Sequence, residues 1–255
     1  MQQLSGKTVL VTGASKGIGA SIAQSVGRAG ARVIAHYSSD RDGAENAVAD
    51  VEPGDRCLVQ ADFDDLGAAE RAWDEAWDWS GGIDVLVNNA AIMLWDGGFN
   101  ADTEAWDAAW ERTLQINVLA PARLLRRAVN AYLENAGGTI VTISSWAAQK
   151  GVTNPDTIAY GASKAAMHNA TQTVARAYAA RGILAYVVAP GVVDTRLSRQ
   201  FAETQGGESS VTAGLAMQEW VPPAEIGELV AYLASGRARH LSGATLDING
   251  ASYIR

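Results

Sequence analysis

Thr8-Val9-Leu10-Val11-Thr12-Gly13-Ala14-Ser15-Lys16-Gly17-Ile18-Gly19 sets the architecture of this chain. Residues 8–12 form a short β-branched, apolar run, the signature of a buried strand. Glycines spaced G-x-x-x-G-x-G then break the run, and residues 20–29 follow with a helical pattern that Gly30 closes. Each glycine has a separate use. Gly13 permits the sharp turn, Gly17 lets the backbone approach a bound anion, and Gly19 lets the helix press on the strand. The opening of the helix adds N–H donors and a favourable dipole for negative charge. A glycine-rich loop alone is a weak signal; one that follows a strand and opens a helix is considerably stronger.

Working outward, further strands are predicted over 31–37, 56–61, 83–88, 139–144, 183–188 and 245–248. Helices are predicted over 42–51, 66–79, 103–135 (one or two), 160–181 and 223–235. Strands alternating with helices imply an α/β fold with a parallel, doubly wound sheet covered by helices on both faces. The strands are apolar throughout rather than alternating, as two covered faces require. No linker, repeat or low-complexity block interrupts residues 1–255, so one domain is expected. The least regular stretch is 195–221, and a long polar loop in a compact domain is more often functional than accidental, so it is read as a substrate loop.

Composition excludes several classes. With 48% hydrophobic residues the chain is not disordered. A net charge of −8 argues against nucleic acid as a partner and disfavours an anionic membrane. Cys57 is the single cysteine, and His36, His168 and His240 are dispersed, so no metal site is expected. His36 reads as a strand-end packing residue. The first seven residues lack the apolar run of a signal peptide, and no stretch approaches the ~20 apolar residues that span a membrane. A cytoplasmic location is the expectation.

Tyr160-Gly161-Ala162-Ser163-Lys164 carries the chemistry. Residues four apart share a helix face. A phenol with a reference pKa of about 10 is a poor proton shuttle at neutral pH, and a neighbouring ammonium favours the phenolate. Lowering that pKa by about three units takes roughly 4 kcal/mol, within reach of one close, partly desolvated cation. The expectation is a proton donor and acceptor for an alcohol/ketone couple. An exposed lysine beside a packed tyrosine on an ordinary helix would look the same in isolation.

Several blocks in order remove that ambiguity: 12–19, Asp62-Phe63, Asn88-Asn89-Ala90-Ala91, Asn117, Ser144-Ser145, Tyr160 to Lys164, Pro190 to Thr195, and 241–250. With them the chain resembles the short-chain dehydrogenase/reductases over essentially its whole length, among them the 3-oxoacyl-acyl-carrier-protein reductases. The resemblance implies a single-domain Rossmann fold of about seven strands and a nicotinamide cofactor. It implies Tyr160 as general acid/base, Lys164 as the partner that lowers its pKa and binds the cofactor ribose, Ser145 as the hydroxyl that orients the carbonyl oxygen, and Asn117 as a link from Lys164 to solvent through water. Ser144 is the alternative to Ser145. Gly13, Ser15, Lys16, Gly17, Ile18 and Gly19 would hold the diphosphate. Asp62 and Phe63 would border the adenine. Asn89, Ala90 and Ala91 would border the adenosine ribose, with Ala91 standing where relatives usually have glycine. Pro190, Gly191, Val193 and Thr195 would hold the nicotinamide end. The strand-end position that is acidic in NAD-binding relatives falls on Tyr37, and Lys16, Tyr37, Ser38, Ser39 and Arg41 lie where a 2′-phosphate would sit, so NADP(H) is expected, with NAD(H) as the alternative.

Among eight tryptophans, Trp73, Trp77, Trp106 and Trp110 are read as core. Trp95 and Trp146 follow cofactor or catalytic blocks and are read as lining the substrate pocket, with Met93, Gln149, Val192 and Trp220 as weaker candidates. A free small-molecule ketone or alcohol is the expected substrate. Glu134-Asn135-Ala136 stands where carrier-protein reductases are usually basic, and Arg181 is the basic residue that would face a carrier. A carrier-bound 3-oxoacyl substrate is the first alternative, and a non-catalytic NADP(H)-binding sensor or scaffold the second. By analogy, helices over 103–135 and 160–181 would form the interface of a homotetramer or homodimer.

Overall fold

The computed structural model describes residues 3–95 and 98–255. The first half of the chain runs β1 (Thr8–Val11), α1 (Gly17–Arg28), β2 (Arg32–Tyr37), α2 (Arg41–Ala47), β3 (Arg56–Gln60), α3 (Leu66–Ser80) and β4 (Val85–Asn88). Then come α4 (Thr103–Leu114), a π turn (Gln115–Leu119), α5 (Ala120–Glu134), β5 (Gly138–Ile143), the short α6 (Ala147–Lys150) and α7 (Ile158–Tyr178). The chain closes with β6 (Ile183–Pro190), α8 (Arg196–Glu203), α9 (Glu208–Ala213), α10 (Pro223–Ala234) and β7 (Thr245–Ile248).

The seven strands form one parallel sheet in the order β3-β2-β1-β4-β5-β6-β7. This is the doubly wound Rossmann arrangement expected from the sequence. Alternate side chains of each strand feed two separate cores. On one face Val9, Val11, Val33, Val85 and Val87 pack under α1 and α10, with Ile22, Val26, Ile226 and Val230. On the other, Leu10, Ile34, Leu86 and Ile140 pack under α3, α5 and α7, with Trp73, Leu124 and Met167. Each buried side chain of this size is worth about 1.5–3 kcal/mol of transfer free energy, which is why strands covered on both faces are apolar at every position.

Element ends differ from the sequence reading where tertiary contacts intervene. α2 stops at Ala47 instead of continuing to 51, and the 103–135 stretch is interrupted by the π turn. The 195–221 stretch contains α8 and α9, the first capped by the Thr195 side chain, which accepts from the Ser198 amide. Strand order reverses between β1 and β4, so their connections leave in opposite directions and open a crevice at the carboxyl ends of the strands.

Candidate active site

That crevice is a cleft of about 750 Å3. Its floor at one end is the glycine loop. Gly13 has φ +66° and Gly17 φ +55°, both in the left-handed region that other residues avoid. A Cβ on Gly13 would lie 2.9 Å from the Ala90 Cα, and one on Gly19 would overlap the Gly13 carbonyl oxygen. The first-turn amides of α1, Gly17, Ile18 and Gly19, have no intrahelical acceptor, and all three residues line the cleft. Thr12 and Asn89 stitch this loop to the end of β4. The Thr12 hydroxyl accepts from the Asn89 and Ala90 amides, at 2.9 and 3.0 Å, and the Asn89 amide group donates to the Thr12 carbonyl at 2.8 Å. Lys16, Ser38, Ser39, Asp62 and Phe63 continue the wall outward.

At the other end stand Ser145, Tyr160 and Lys164, all lining the cleft. α7 sets Tyr160 and Lys164 on one face, with the ammonium 5.6 Å from the ring centroid. Lys164 is buried, and its Nζ donates to the Ile143 carbonyl at the end of β5 at 2.9 Å. Ser145 lies near enough to the Tyr160 phenol to favour its charged form, and its Oγ accepts from the Ala147 amide at 3.1 Å. The Ser144 hydroxyl is spent elsewhere, donating to the Lys164 carbonyl at 3.2 Å. Burial pushes the phenol up to about 12, against the opposing effect of Ser145. Burial also pushes the ammonium down to about 8. The sequence reading expected the cation to lower the phenol; here desolvation of both groups dominates, and the cation is engaged by a backbone carbonyl.

The family profile described as Enoyl-(Acyl carrier protein) reductase matches residues 13–251. The chain is 34% identical over 252 residues to 3beta-hydroxysteroid dehydrogenase 1 of Eggerthella lenta, covering 97% of this chain and 94% of that one. It is 32% identical over 249 residues to the 3-oxoacyl-(acyl-carrier-protein) reductase FabG of Escherichia coli, covering 98% of each. A solved dehydrogenase/reductase from Sinorhizobium meliloti superposes with a TM-score of 0.88 at 33% identity, over 100% of this chain and 99% of that one. The chain belongs to the short-chain dehydrogenase/reductase family. It is an oxidoreductase acting on a CH–OH/C=O couple.

In this dehydrogenase/reductase the cleft gathers most of the residues singled out in the sequence: Gly13, Ser15 to Gly19, Ser38, Ser39, Asp62, Phe63, Asn89 to Ala91, Ser145, Tyr160, Lys164, Pro190, Gly191, Val193 and Thr195. Trp95 and Met93 line its outer part. Several of the residues singled out lie outside the cleft wall. Tyr37 is not in the cleft wall; its side chain is buried and its hydroxyl accepts from Arg41 at 3.2 Å, which also draws Arg41 to that contact. Trp146 is not in the wall either; it lies beneath the Lys150 ammonium, 3.7 Å from the ring centroid, and against Gly191. Gln149, Val192 and Trp220 likewise stand outside the wall, the last donating from its indole to the Thr212 hydroxyl at 2.8 Å. Asn117 is next to the cleft, and its side chain serves the backbone. It accepts from the Ile92 amide and donates to the Ile92 carbonyl, both at 2.8 Å, and donates to Ser163 at 3.0 Å.

A second cleft of about 690 Å3 lies at the amino ends of the strands, lined by Lys7, Arg32, Asn135, Ala136 and Gly182 among others. The stretch compared with the basic rim of carrier-protein reductases therefore sits at the opposite edge of the sheet from Tyr160. Among the described residues no helix is long and apolar enough to cross a membrane, and no group of three or more metal-ligating side chains occurs.

His36, read as a strand-end packing residue, is buried and stacked on Phe63, and it has a second position as well. His36 lines the cleft between the glycine loop and Phe63, with both ring nitrogens engaged by backbone. A histidine one residue before the end of a strand carries no motif, so only the folded geometry reveals it.

Proposed function

We propose that this protein is an NADP(H)-dependent oxidoreductase that interconverts a small-molecule ketone and its secondary alcohol, with Tyr160 as general acid/base. The observation that carries this reading is the gathering of Ser145, Tyr160 and Lys164 in the same cleft as the glycine cradle. The positive-φ glycines and unspent first-turn amides fit a dinucleotide diphosphate, while Ser38, Ser39 and Lys16 offer donors and a cation to a ribose 2′-phosphate. Asp40 lines the same corner and caps α2 by accepting from the Gly43 amide at 2.9 Å, so its carboxylate opposes the phosphate there and Lys16 has to outweigh it.

The nicotinamide, when bound, gives or takes the hydride. The chain supplies the rest. Ser145 and Tyr160 converge on one oxygen position and donate hydrogen bonds to a carbonyl that gains negative charge. With its pKa held high by burial, Tyr160 keeps its proton at neutral pH and is a donor to the developing alkoxide. Lys164, anchored to Ile143, lines the same cleft and places positive charge beside the phenol. Asn117 acts at one remove by fixing Ile92 and the start of the outer wall. Trp95, Met93 and Leu197 give that wall an apolar character, suited to an uncharged ketone, with 195–221 as the substrate loop. Assembly as a homodimer or homotetramer through α4, α5 and α7 belongs to the same reading, and the half-exposed Leu119 lies on that face; a monomeric mass by light scattering would refute it.

The test is oxidation of NADPH and NADH with a panel of ketones, an acyl-carrier-protein thioester and simple thioesters. The expected result is turnover of a free ketone with a lower KM for NADPH, and loss of about 10²–10⁴ in kcat in Tyr160→Phe with cofactor binding near normal. Turnover that survives the substitution removes Tyr160 from its role. Activity confined to the carrier thioester makes the protein a carrier-dependent reductase, and tight NADPH binding without turnover of any substrate makes it a sensor.

A further inference from the structure

We propose that His36 is a positioning residue for the dinucleotide: one neutral imidazole, held in a single tautomer, that locks the diphosphate-binding loop to the adenine slot. This rests on the reading that the cleft takes a nicotinamide dinucleotide. The tautomer follows from the partners. A backbone N–H can only donate, so His36 Nδ1, 3.0 Å from the Gly13 nitrogen, is the bare acceptor. The ring proton is then on Nε2, which donates to the Ala61 carbonyl at 3.0 Å. The His36 carbonyl accepts from the Ala14 amide at 2.8 Å. Two successive amides at the tip of β1 are thus spent on one residue, and the loop presents its later amides, those opening α1, to an anion. On the other side the imidazole stacks on Phe63 with ring centroids 4.4 Å apart and 9° between planes. Ala61 and Phe63 flank Asp62, and all three line the cleft. A single side chain therefore spans the ends of β1, β2 and β3.

A protonated ring would turn an N–H toward the Gly13 N–H. Burial opposes this and pushes His36 down to about 4, while the bond to the Ala61 carbonyl and, less, the Asp62 charge act the other way. Phenylalanine would keep the stack and lose both hydrogen bonds. Glutamine would restore one acceptor and one donor.

The experiment measures binding and turnover of NADPH, or NADH where that binds tighter, together with reduced nicotinamide mononucleotide, which lacks the adenylate half. His36→Phe is expected to raise the dinucleotide KM and Kd about tenfold or more, the loss of one well-made hydrogen bond, with kcat at saturation within about twofold. The mononucleotide KM should not change, and His36→Gln should recover most of the loss. Unchanged dinucleotide affinity in His36→Phe, or an equal loss toward the mononucleotide, overturns the proposal. If neither variant folds, nitrogen-15 histidine spectra of the wild-type protein decide it: the Nε2-protonated tautomer at neutral pH, shifted on adding ADP, is expected, and an Nδ1-protonated ring or no response to ADP refutes it. A wild-type protein that binds neither dinucleotide refutes the reading of the cleft itself, an outcome distinct from the failure of His36 alone.

Discussion

Adjacent serines show how a hydroxyl's partner assigns its work. Ser144 and Ser145 follow the same strand and are equally buried, yet one bonds the α7 backbone and the other meets the phenol. Ser145→Ala is therefore expected to cost about 10²–10³ in kcat for carbonyl reduction, the usual loss of one oxyanion donor, with cofactor affinity intact. Ser144→Ala should cost about 1 kcal/mol of stability, seen in urea unfolding, and leave kcat within a few-fold. The reverse pattern would transfer the role to Ser144. Residues such as Ser145, Tyr160 and Lys164 were legible in the sequence because their spacing is local or motif-bound. His36 was not, since its two partners lie 23 and 25 residues away and neither is a side chain. Tyr37 and Trp146 stand outside the cleft wall for the complementary reason. Position along the chain placed them beside the cleft, but the direction of a side chain at a strand end or a helix start is settled by what packs there.

Among elements, the turn from β1 into α1 is the least tolerant. A methyl at Gly19 would overlap the Gly13 carbonyl and press on the Asn89 amide, so the helix would have to lift from the strand. Gly19→Ala is expected to lower the unfolding free energy by about 3 kcal/mol, in the range of overpacked cores, and to weaken dinucleotide binding by an order of magnitude or more. Dinucleotide binding at the wild-type level would show that the loop yields. This element was readable because the glycine pattern, the strand before it and the helix after it reinforce one another. The π turn between α4 and α5 was not. An extra residue in one helical turn leaves no compositional trace, and what accompanies it here is tertiary, the clasp of Asn117 on Ile92 and Ser163. For the same reason α8 and α9 were hidden within a polar stretch: short helices depend on caps and neighbours more than on propensity.

At the scale of the whole molecule, the buried imidazole ties stability to acidity. His36 is lowered from 6.5 to about 4 in the folded protein, so the unfolded chain takes up its proton first as pH falls. Stability is full above pH 6.5 and is lost between 6.5 and 4, by about 3 kcal/mol from this group. Urea midpoints measured across that range should fall, and His36→Gln should flatten the part of the slope that His36 contributes; an unchanged slope would show that the ring is charged or absent from the balance. The doubly wound parallel sheet was predictable from continuously apolar strands that alternate with helices, because burial on two faces demands apolar residues at every strand position. The 195–221 excursion was placed but not shaped.

That excursion has a narrow neck. Val193 and Val221 form an isolated parallel bridge, with the Asp194 amide donating to the Val221 carbonyl at 3.0 Å and the Val221 amide to the Val192 carbonyl at 2.9 Å. The chain departs and returns through one point, so this bridge closes the loop, and the Ala216 amide adds a second tie by donating to the Ser252 hydroxyl at 3.1 Å. The neck lies outside the seven strands of the sheet, so a change of length within the excursion is absorbed between Val193 and Val221 before it reaches the sheet's register.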